Sequence, residues 1–407
     1  MTLVELFDKN PVENIISSLV LQPQRVIFVG RKEIMARHKR IIEKLFNERR
    51  LKTDIHFLHP DRNSLDCAVE LLSEIQKEFP DCEFDLTGGD DLMLLAMGVL
   101  MEKSPTKPKV HRYFISDRSI VGIDTDGSET RKTPFYLSVG ETINLYGGSV
   151  LKSFKYESRW DMPEDFKDDT DKMWGLCRKD TGLWNRLTGV LADFEHMKEK
   201  RDSLETVLSL SEIRSHLSNK NQSFDAVEKF LQSLCSLKLI QDTGSDNAFL
   251  RYRFKNELIR HCLVKAGTVL ELKILMIARG IRDEKDEPFF NDALQGVNID
   301  WDGKRHSSPF IAETENEVDV ILMRGHIPIF ISCKNGFTDD EELYKLNTVA
   351  EKFGGPYVKK VLIATKLTGR NRSLEYFRQR AKDMGITLIE NAHLMNDEDL
   401  AEKIKGL

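Results

Sequence analysis

Between Glu317 and Gly336 the chain reads EVDVILMRGHIPIFISCKNG, and the residues equipped for chemistry there are Asp319, Ser332 and Lys334. A carboxylate and an ammonium on neighbouring strands can hold a hard divalent cation, Mg²⁺ or Mn²⁺, and a water beside a phosphate. The cation offsets charge developing on the phosphate, and the lysine orients the attacking water or helps remove its proton. Glu271, in GTVLEL, adds a carboxylate from a predicted helix. The competing reading is a cross-strand ion pair between Asp319 and Lys334, worth about 0.2–1 kcal/mol. Against it, VDVILM and IPIFIS are apolar enough for central strands buried on both faces, where ionised groups are rarely placed without a task.

A hairpin must position these groups. Alternation puts Glu317 and Asp319 on one side of the first strand and Val318, Val320 and Leu322 on the other. After the Arg324-Gly325-His326 turn, Pro328, Phe330, Ser332 and Lys334 share a face opposite Ile327, Ile329, Ile331 and Cys333. Cys333 thus reads as a buried thiol that offers a metal only its backbone carbonyl. Asn335 and Gly336 end the strand in a turn.

Around the hairpin the pattern predicts a helix over 255–279, a strand near VNIDW, a helix near 339–353, strand KKVLIAT, a helix near 371–384 and strand ITLIE. That is a mixed sheet flanked by helices. Trp301 and His306 invite base stacking or proton transfer, but a core aromatic and a loop residue are the preferred readings. Eight basic residues (Lys359, Lys360, Lys366, Arg370, Arg372, Arg378, Arg380, Lys382) face one acid, Glu375, between 359 and 382. They form either a phosphate track or a solvated helix face.

The first 150 residues alternate strands (RVIFVG, DIHFLH, CEFDL) with helices near 34–50 and 64–79, the rhythm of a doubly wound parallel sheet. After CEFDL come Thr87, Gly88, Gly89 and Asp90, then an apolar helix. Strand, glycine turn and helix make an anion site, because backbone N–H groups approach closely where side chains are absent. The alternative is a tight turn capped by Thr87, with Asp90 and Asp91 at the helix N-terminus. Gly30, closing RVIFVG, with Arg31 and Lys32 after it, is a second place where the same ligand could be held, or a solvated loop.

Residues 151–254 are dense in Lys, Asp and Glu and read as amphipathic helices followed by a strand-like NAFLRYRFKN. This is a helical connector with a weak winged-helix character, preferred over an independent DNA reader. With 407 residues, 40% hydrophobic and 31% charged, the chain is sized for two or three domains. No apolar run approaches the roughly 18 residues of a membrane span, and MTLVELFDKNP lacks a basic region before an apolar stretch, so a cytoplasmic protein is expected. The six cysteines show no CxxC pair or zinc spacing and read as free thiols. A net charge of −6 argues against a constitutively tight nonspecific nucleic-acid binder but not against a nuclease with a local basic groove.

At Asp319 and Lys334 the chain resembles the PD-(D/E)xK, or restriction-endonuclease-like, superfamily. Ser332 stands where that pattern has Asp or Glu, leaving Glu271, or Glu341 or Glu342 on the following helix, to supply the missing oxygen. The Thr87-Gly88-Gly89 turn in an alternating fold and the region from about Tyr252 to the end, notably RYRFKNELIRHCLVKAGTVLE (251–271) and SCKNG (332–336), together resemble the CARF family of type III CRISPR ancillary nucleases. Family members often carry Thr and Lys after the TGG, where this chain has Asp90 and Asp91, so Arg31 or Lys32 would have to compensate.

The resemblance implies an α/β chain with a Rossmann-like CARF domain over 1–150, the connector over 151–254 and a nuclease domain over 255–407. It implies a homodimer, cyclic oligoadenylate sensing with cyclic tetra-adenylate as activator, and metal-dependent cleavage of DNA, single-stranded or as nicked duplex, with RNA as a further substrate. Effector contacts are then expected from Thr87, Gly88, Gly89, Asp90, Gly30 and Arg31. Catalysis is expected from Asp319, Lys334, Glu271 and Ser332, and metal ligation from Glu271, Asp319 and the Cys333 carbonyl. Two alternatives stay open: a ligand-responsive, non-catalytic nucleic-acid-binding regulator, and a constitutive restriction or repair nuclease.

Overall fold

A computed structural model of the chain describes residues 1–123, 130–151, 164–200, 202–303, 315–336, 338–367 and 371–407. Its first part supplies β1 (Thr2–Phe7), α1 (Ile16–Leu21), β2 (Arg25–Gly30), α2 (Lys32–Glu48), β3 (Asp54–Leu58), α3 (Leu65–Glu78), β4 (Glu83–Asp85), α4 (Asp91–Lys103), β5 (Lys109–Phe114), β6 (Ser119–Gly122) and β7 (Thr130–Lys132). Next come α5 (Val139–Leu145), β8 (Ser149–Leu151), α6 (Glu164–Cys177), α7 (Thr181–Met197), β9 (Glu205–Ser209), α8 (Leu210–Asn219), α9 (Phe224–Ser236), β10 (Ile240–Asp242) and β11 (Phe249–Phe254). The last part holds α10 (Glu257–Val264), α11 (Thr268–Gly280), β12 (Asp292–Asp300), β13 (Glu315–Arg324), β14 (Ile327–Lys334), α12 (Asp340–Phe353), β15 (Lys359–Ala364), α13 (Asn371–Asp383), β16 (Ile386–Ile389) and α14 (Asp397–Lys405).

The first sheet runs β3-β2-β1-β4-β5-β6-β7, its first five strands parallel and the last two antiparallel. This is a doubly wound, Rossmann-like order whose direction of winding reverses between β1 and β4. A crevice for ligands opens there, outside the strands' carboxyl ends. β1, TLVELF, is buried at every position and forms the centre of this sheet. The sequence pattern did not assign it, because Glu5 interrupts an otherwise apolar run.

The connector contains more than helices. β10-β11-β9 form an antiparallel sheet that follows α7 and encloses α8 and α9 in winged-helix order. The exposed side of α9 shows Asp225 and Glu228 beside Lys229, so it offers phosphate no basic face.

The third sheet, β16-β15-β14-β13-β12-β8, is mixed: β12 to β14 are antiparallel, and β15 and β16 run parallel to β14. Together these layers are the expected α/β architecture. Two local expectations differ. The single helix over 255–279 is two, α10 and α11, because the chain turns at Lys265–Gly267. β8, at the boundary expected near residue 150, pairs with Asn298–Asp300 and so belongs to the C-terminal sheet.

The first and third sheets share one apolar core that includes Phe7, Phe28, Tyr113, Ile321, Phe330 and Phe353. The β13–β14 turn plugs into it. His326 is buried against the rings of Tyr113 (6.2 Å) and Phe135 (5.8 Å), and Leu137 N–H donates to the Gly325 carbonyl at 2.9 Å. Burial pulls the His326 pKa down to about 4, so the plug is neutral near pH 7. Among the described residues no helix is long and apolar enough to cross a membrane.

Candidate functional site

The end of the β13–β14 hairpin opposite that plug forms a cleft of ≈330 Å³, lined by Glu317, Asp319, Ser332, Lys334, Glu342 and Lys345 among others. Simple alternation does not build it. Val318 packs with Ile321 and Met323, whereas Val320 and Leu322 pack in a different core, so the faces exchange near Asp319. β12 makes the same exchange across Gly296, whose φ of +59° is a conformation suited to glycine. The ladder runs Gln295↔Val320 and Val297↔Val318 without pairing Gly296 to Asp319. Val318 therefore does not share a face with Val320 and Leu322, contrary to the alternating pattern.

Val320↔Ile331 pairing sets Asp319 across from Ser332 rather than Lys334. Its Oδ2 accepts from Ser332 Oγ (3.2 Å) and from Cys333 N–H (2.7 Å). Ser332 thus holds the aspartate, in a position where the superfamily pattern has an acid. Cys333 is buried in the apolar layer, and its thiol pKa is pushed well up by burial and then by Asp319, which leaves it inert.

Lys334 pairs with Glu342 Oε2 at 2.6 Å rather than with Asp319. Burial pulls its pKa down, but Glu342 and then Asp319 outweigh that and hold it above the ordinary lysine value. It is therefore a cation at neutral pH, able to donate but not to accept a proton. Glu341 pairs outward with Lys345 at 3.0 Å, so of the two helix acids it is Glu342 that reaches the cleft.

Glu271, in the first turn of α11, is 4% exposed and accepts from Gln295 Nε2 at 3.0 Å. Burial, then the charge of Asp319, raises its pKa to about 7. Asp319 is also raised, first by burial, with Lys334 opposing. Lys265 pairs with Glu317 at 2.8 Å at the rim. Gln295, Lys265 and Lys345 escaped sequence reasoning; only the Glu342–Lys345 spacing on one helix signalled any of them.

A buried carboxyl whose pKa is raised by a second buried carboxylate is a place where a cation would relieve repulsion. Among the described residues no cluster of three or more His, Cys, Asp or Glu side chains is arranged to hold a metal. The donors fit a hard cation that keeps several waters, as Mg²⁺ does, with Glu271 and Asp319 as its carboxylates.

The other expected site lies where the winding reverses. Thr87 turns inward: its Oγ1 donates to Asp85 Oδ1 (2.6 Å) and accepts from Tyr113 N–H (2.8 Å). It anchors the turn from below, contrary to the expectation of a hydroxyl offered to a ligand. Asp85 is fully buried beside Glu5, whose pKa burial and then Asp85 push well up. Gly88 has no room for a side chain, since a Cβ would sit 2.2 Å from Asn14 Oδ1 and 2.8 Å from the Leu6 carbonyl; Gly89 has φ +105°. Among the described residues the Gly88 and Gly89 N–H groups make no backbone bond.

Asp90 caps α4 by accepting from Met93 N–H (3.0 Å) and pairs with Arg31 Nε at 2.7 Å. Arg31 thereby offsets the acid that follows the glycines. Gly30 packs on Phe7, whose carbonyl oxygen would lie 2.6 Å from a Cβ there. A cleft of ≈600 Å³ lined by Thr87, Arg112, Phe114, Tyr357 and Lys359 opens beside the loop.

The basic track is partly committed elsewhere. Arg378 forks onto Glu390, Lys360 donates to Asn347 Oδ1 at 2.6 Å, and Arg380 lies over the Tyr344 and Tyr376 rings. Trp301 packs edge-on against Phe353 at 5.4 Å, as a core aromatic. His306, Arg370 and the side chain of Arg372 lie outside the described residues.

Among solved structures the chain is similar to protein VC1899 from Vibrio cholerae, with a TM-score of 0.73 and 17% identity over 100% of this chain and 97% of that one. It is also similar to Can2 from Sulfobacillus thermosulfidooxidans, solved in complex with cyclic tetra-adenylate, with a TM-score of 0.67 and 17% identity over 99% and 98% of the two chains. No protein-family model and no curated protein sequence matches it. At this identity the likeness is one of fold, extending from end to end.

Proposed function

We propose that the chain is a CARF-type effector nuclease of type III CRISPR defence: a homodimer that senses cyclic tetra-adenylate with its first sheet and hydrolyses phosphodiester bonds with its third. The observation that carries the nuclease reading is Asp319 and a protonated Lys334 lining one cleft, with Glu271 buried close enough behind it for the charge of Asp319 to raise its pKa. The effector reading rests on the glycine turn at the winding reversal and on the shared fold with a protein solved with that ligand. α4, which exposes Leu94 and Leu95, supports association with a second copy.

Glu271 and Asp319, with the Cys333 carbonyl as a further donor, would hold a divalent cation, which would supply Lewis-acid stabilisation of the phosphate and a more acidic water. Ser332 and Cys333 N–H orient Asp319, and Gln295 orients Glu271. Lys334 donates to the attacking water or to a phosphate oxygen as charge builds there. Effector binding gates this centre only to the extent that the ligand binds the active arrangement more tightly.

The test is incubation of supercoiled plasmid, single-stranded DNA and RNA with Mn²⁺ or Mg²⁺ and cyclic tetra-adenylate. Cleavage that EDTA abolishes is expected. Tight effector binding without cleavage would instead make the protein a regulator, with Ser332 in the acid's place as the reason.

Gly88→Ala tests the sensing site. The intruding Cβ must displace Asn14 or the Leu6 backbone, and effector affinity measured by calorimetry is expected to fall at least about tenfold. Unchanged affinity would place the ligand elsewhere.

A further inference from the structure

Lys334 ends its strand, and the residue after it is tied outside its own sheet. Asn335 Nδ2 donates to Asn185 Oδ1 on α7 (2.7 Å) and to Cys177 Sγ on α6 (3.3 Å). Asn335 Oδ1 accepts from Thr365 Oγ1 (2.9 Å), and Asn185 Nδ2 donates back to the Asn335 backbone carbonyl. Thr365 N–H donates to the Lys334 carbonyl at 3.0 Å, closing the ring. Gly336, at φ +118°, fits under Asn185 because a Cβ would lie 3.1 Å from its Nδ2. Both hydrogen-bonding ends of the Asn335 amide are used, and two of its partners come from connector helices about 150 residues away in sequence.

We infer that Asn185 and Asn335 are positioning residues for Lys334, registering the catalytic strand against the connector as well as against its own sheet. The inference rests on the nuclease reading above. An interior strand turn needs only the Thr365 contacts to finish its ladder. The reciprocal pair with Asn185 adds a fixed relation between α7 and the residue next to the lysine. A shift of α7 would therefore act on β14 at the residue next to Lys334, whereas Asp319 lies on β13 and meets β14 one and two residues earlier, at Cys333 and Ser332.

The experiment compares plasmid cleavage by wild type, Asn185→Ala, Asn335→Ala, the double variant and Lys334→Ala, all with Mg²⁺ and cyclic tetra-adenylate. Each single asparagine variant is expected to lose roughly 10- to 100-fold in kcat with KM for DNA and effector affinity unchanged. The double variant should lose no more than the worse single one, as residues acting as one unit do. A melting scan on each variant separates lost positioning from lost folding. Single variants within twofold of wild type, losses that multiply, or losses that follow the melting temperature would overturn the inference while Lys334→Ala still proves the nuclease. Wild type that does not cleave, or Lys334→Ala that cleaves normally, would instead overturn the nuclease reading itself.

Discussion

Lys334→Ala is expected to cut effector-dependent cleavage on the order of 10³-fold while leaving cyclic tetra-adenylate affinity unchanged. The size follows from the surroundings. Lys334 is the cation at 2.6 Å from Glu342 and the one whose charge opposes the raised pKa of Asp319. Removing it takes away a donor at the cleft and leaves Asp319 without the cation that opposes its raised pKa and Glu342 without its nearest one. Lys345, half-exposed and paired with Glu341 and Glu342 at the rim, is the control. Its alanine variant should lose less than about tenfold, since exposed pairs are worth little. Equal losses for the two lysines, read from single-turnover rates, would show general electrostatic attraction of nucleic acid and no specific role for Lys334.

The second large effect lies in stability rather than rate. Glu271 has a pKa raised from 4.5 to about 7 by burial and by Asp319. Between those values the folded protein holds a proton that the unfolded chain has released, so stability falls as pH rises through that window. Above pH 7 the loss is complete and on the order of 3 kcal/mol. Glu271→Gln keeps the shape and the Gln295 contact region without the charge. In EDTA at pH 8 it should melt several degrees above wild type. Mn²⁺ should raise the wild-type melting temperature, more at pH 8 than at pH 6 because binding must expel the proton, and should leave the variant almost unmoved. A metal shift of equal size in both proteins would place the cation away from Glu271.

What the sequence made legible were features with a local pattern. RVIFVG, DIHFLH and CEFDL alternate with helices and build most of the first sheet, and IPIFIS with KKVLIAT builds the core of the third. The hairpin's chemistry showed because charges stand out in apolar runs. β1 was hidden by Glu5, whose carboxyl is buried beside Asp85, an arrangement that hydrophobic alternation argues against. Thr87 looked like a ligand contact because nothing local says that Asp85, two residues earlier, draws its hydroxyl inward. The exchange of faces at Asp319 needs Gly296 on another strand, and the hold on Asn335 needs Asn185, a residue in a helix that reads as an ordinary amphipathic one. Contacts between distant segments leave no periodicity, so the support around the site had to come from the fold.

The most direct test of gating is the rate of supercoiled plasmid nicking in Mg²⁺ as cyclic tetra-adenylate is titrated. Effector-gated catalysis predicts a rate near background without the ligand and a saturable rise of about 100-fold, whose midpoint matches the binding constant measured separately. A rate that is the same with and without the ligand would contradict it and leave a constitutive nuclease.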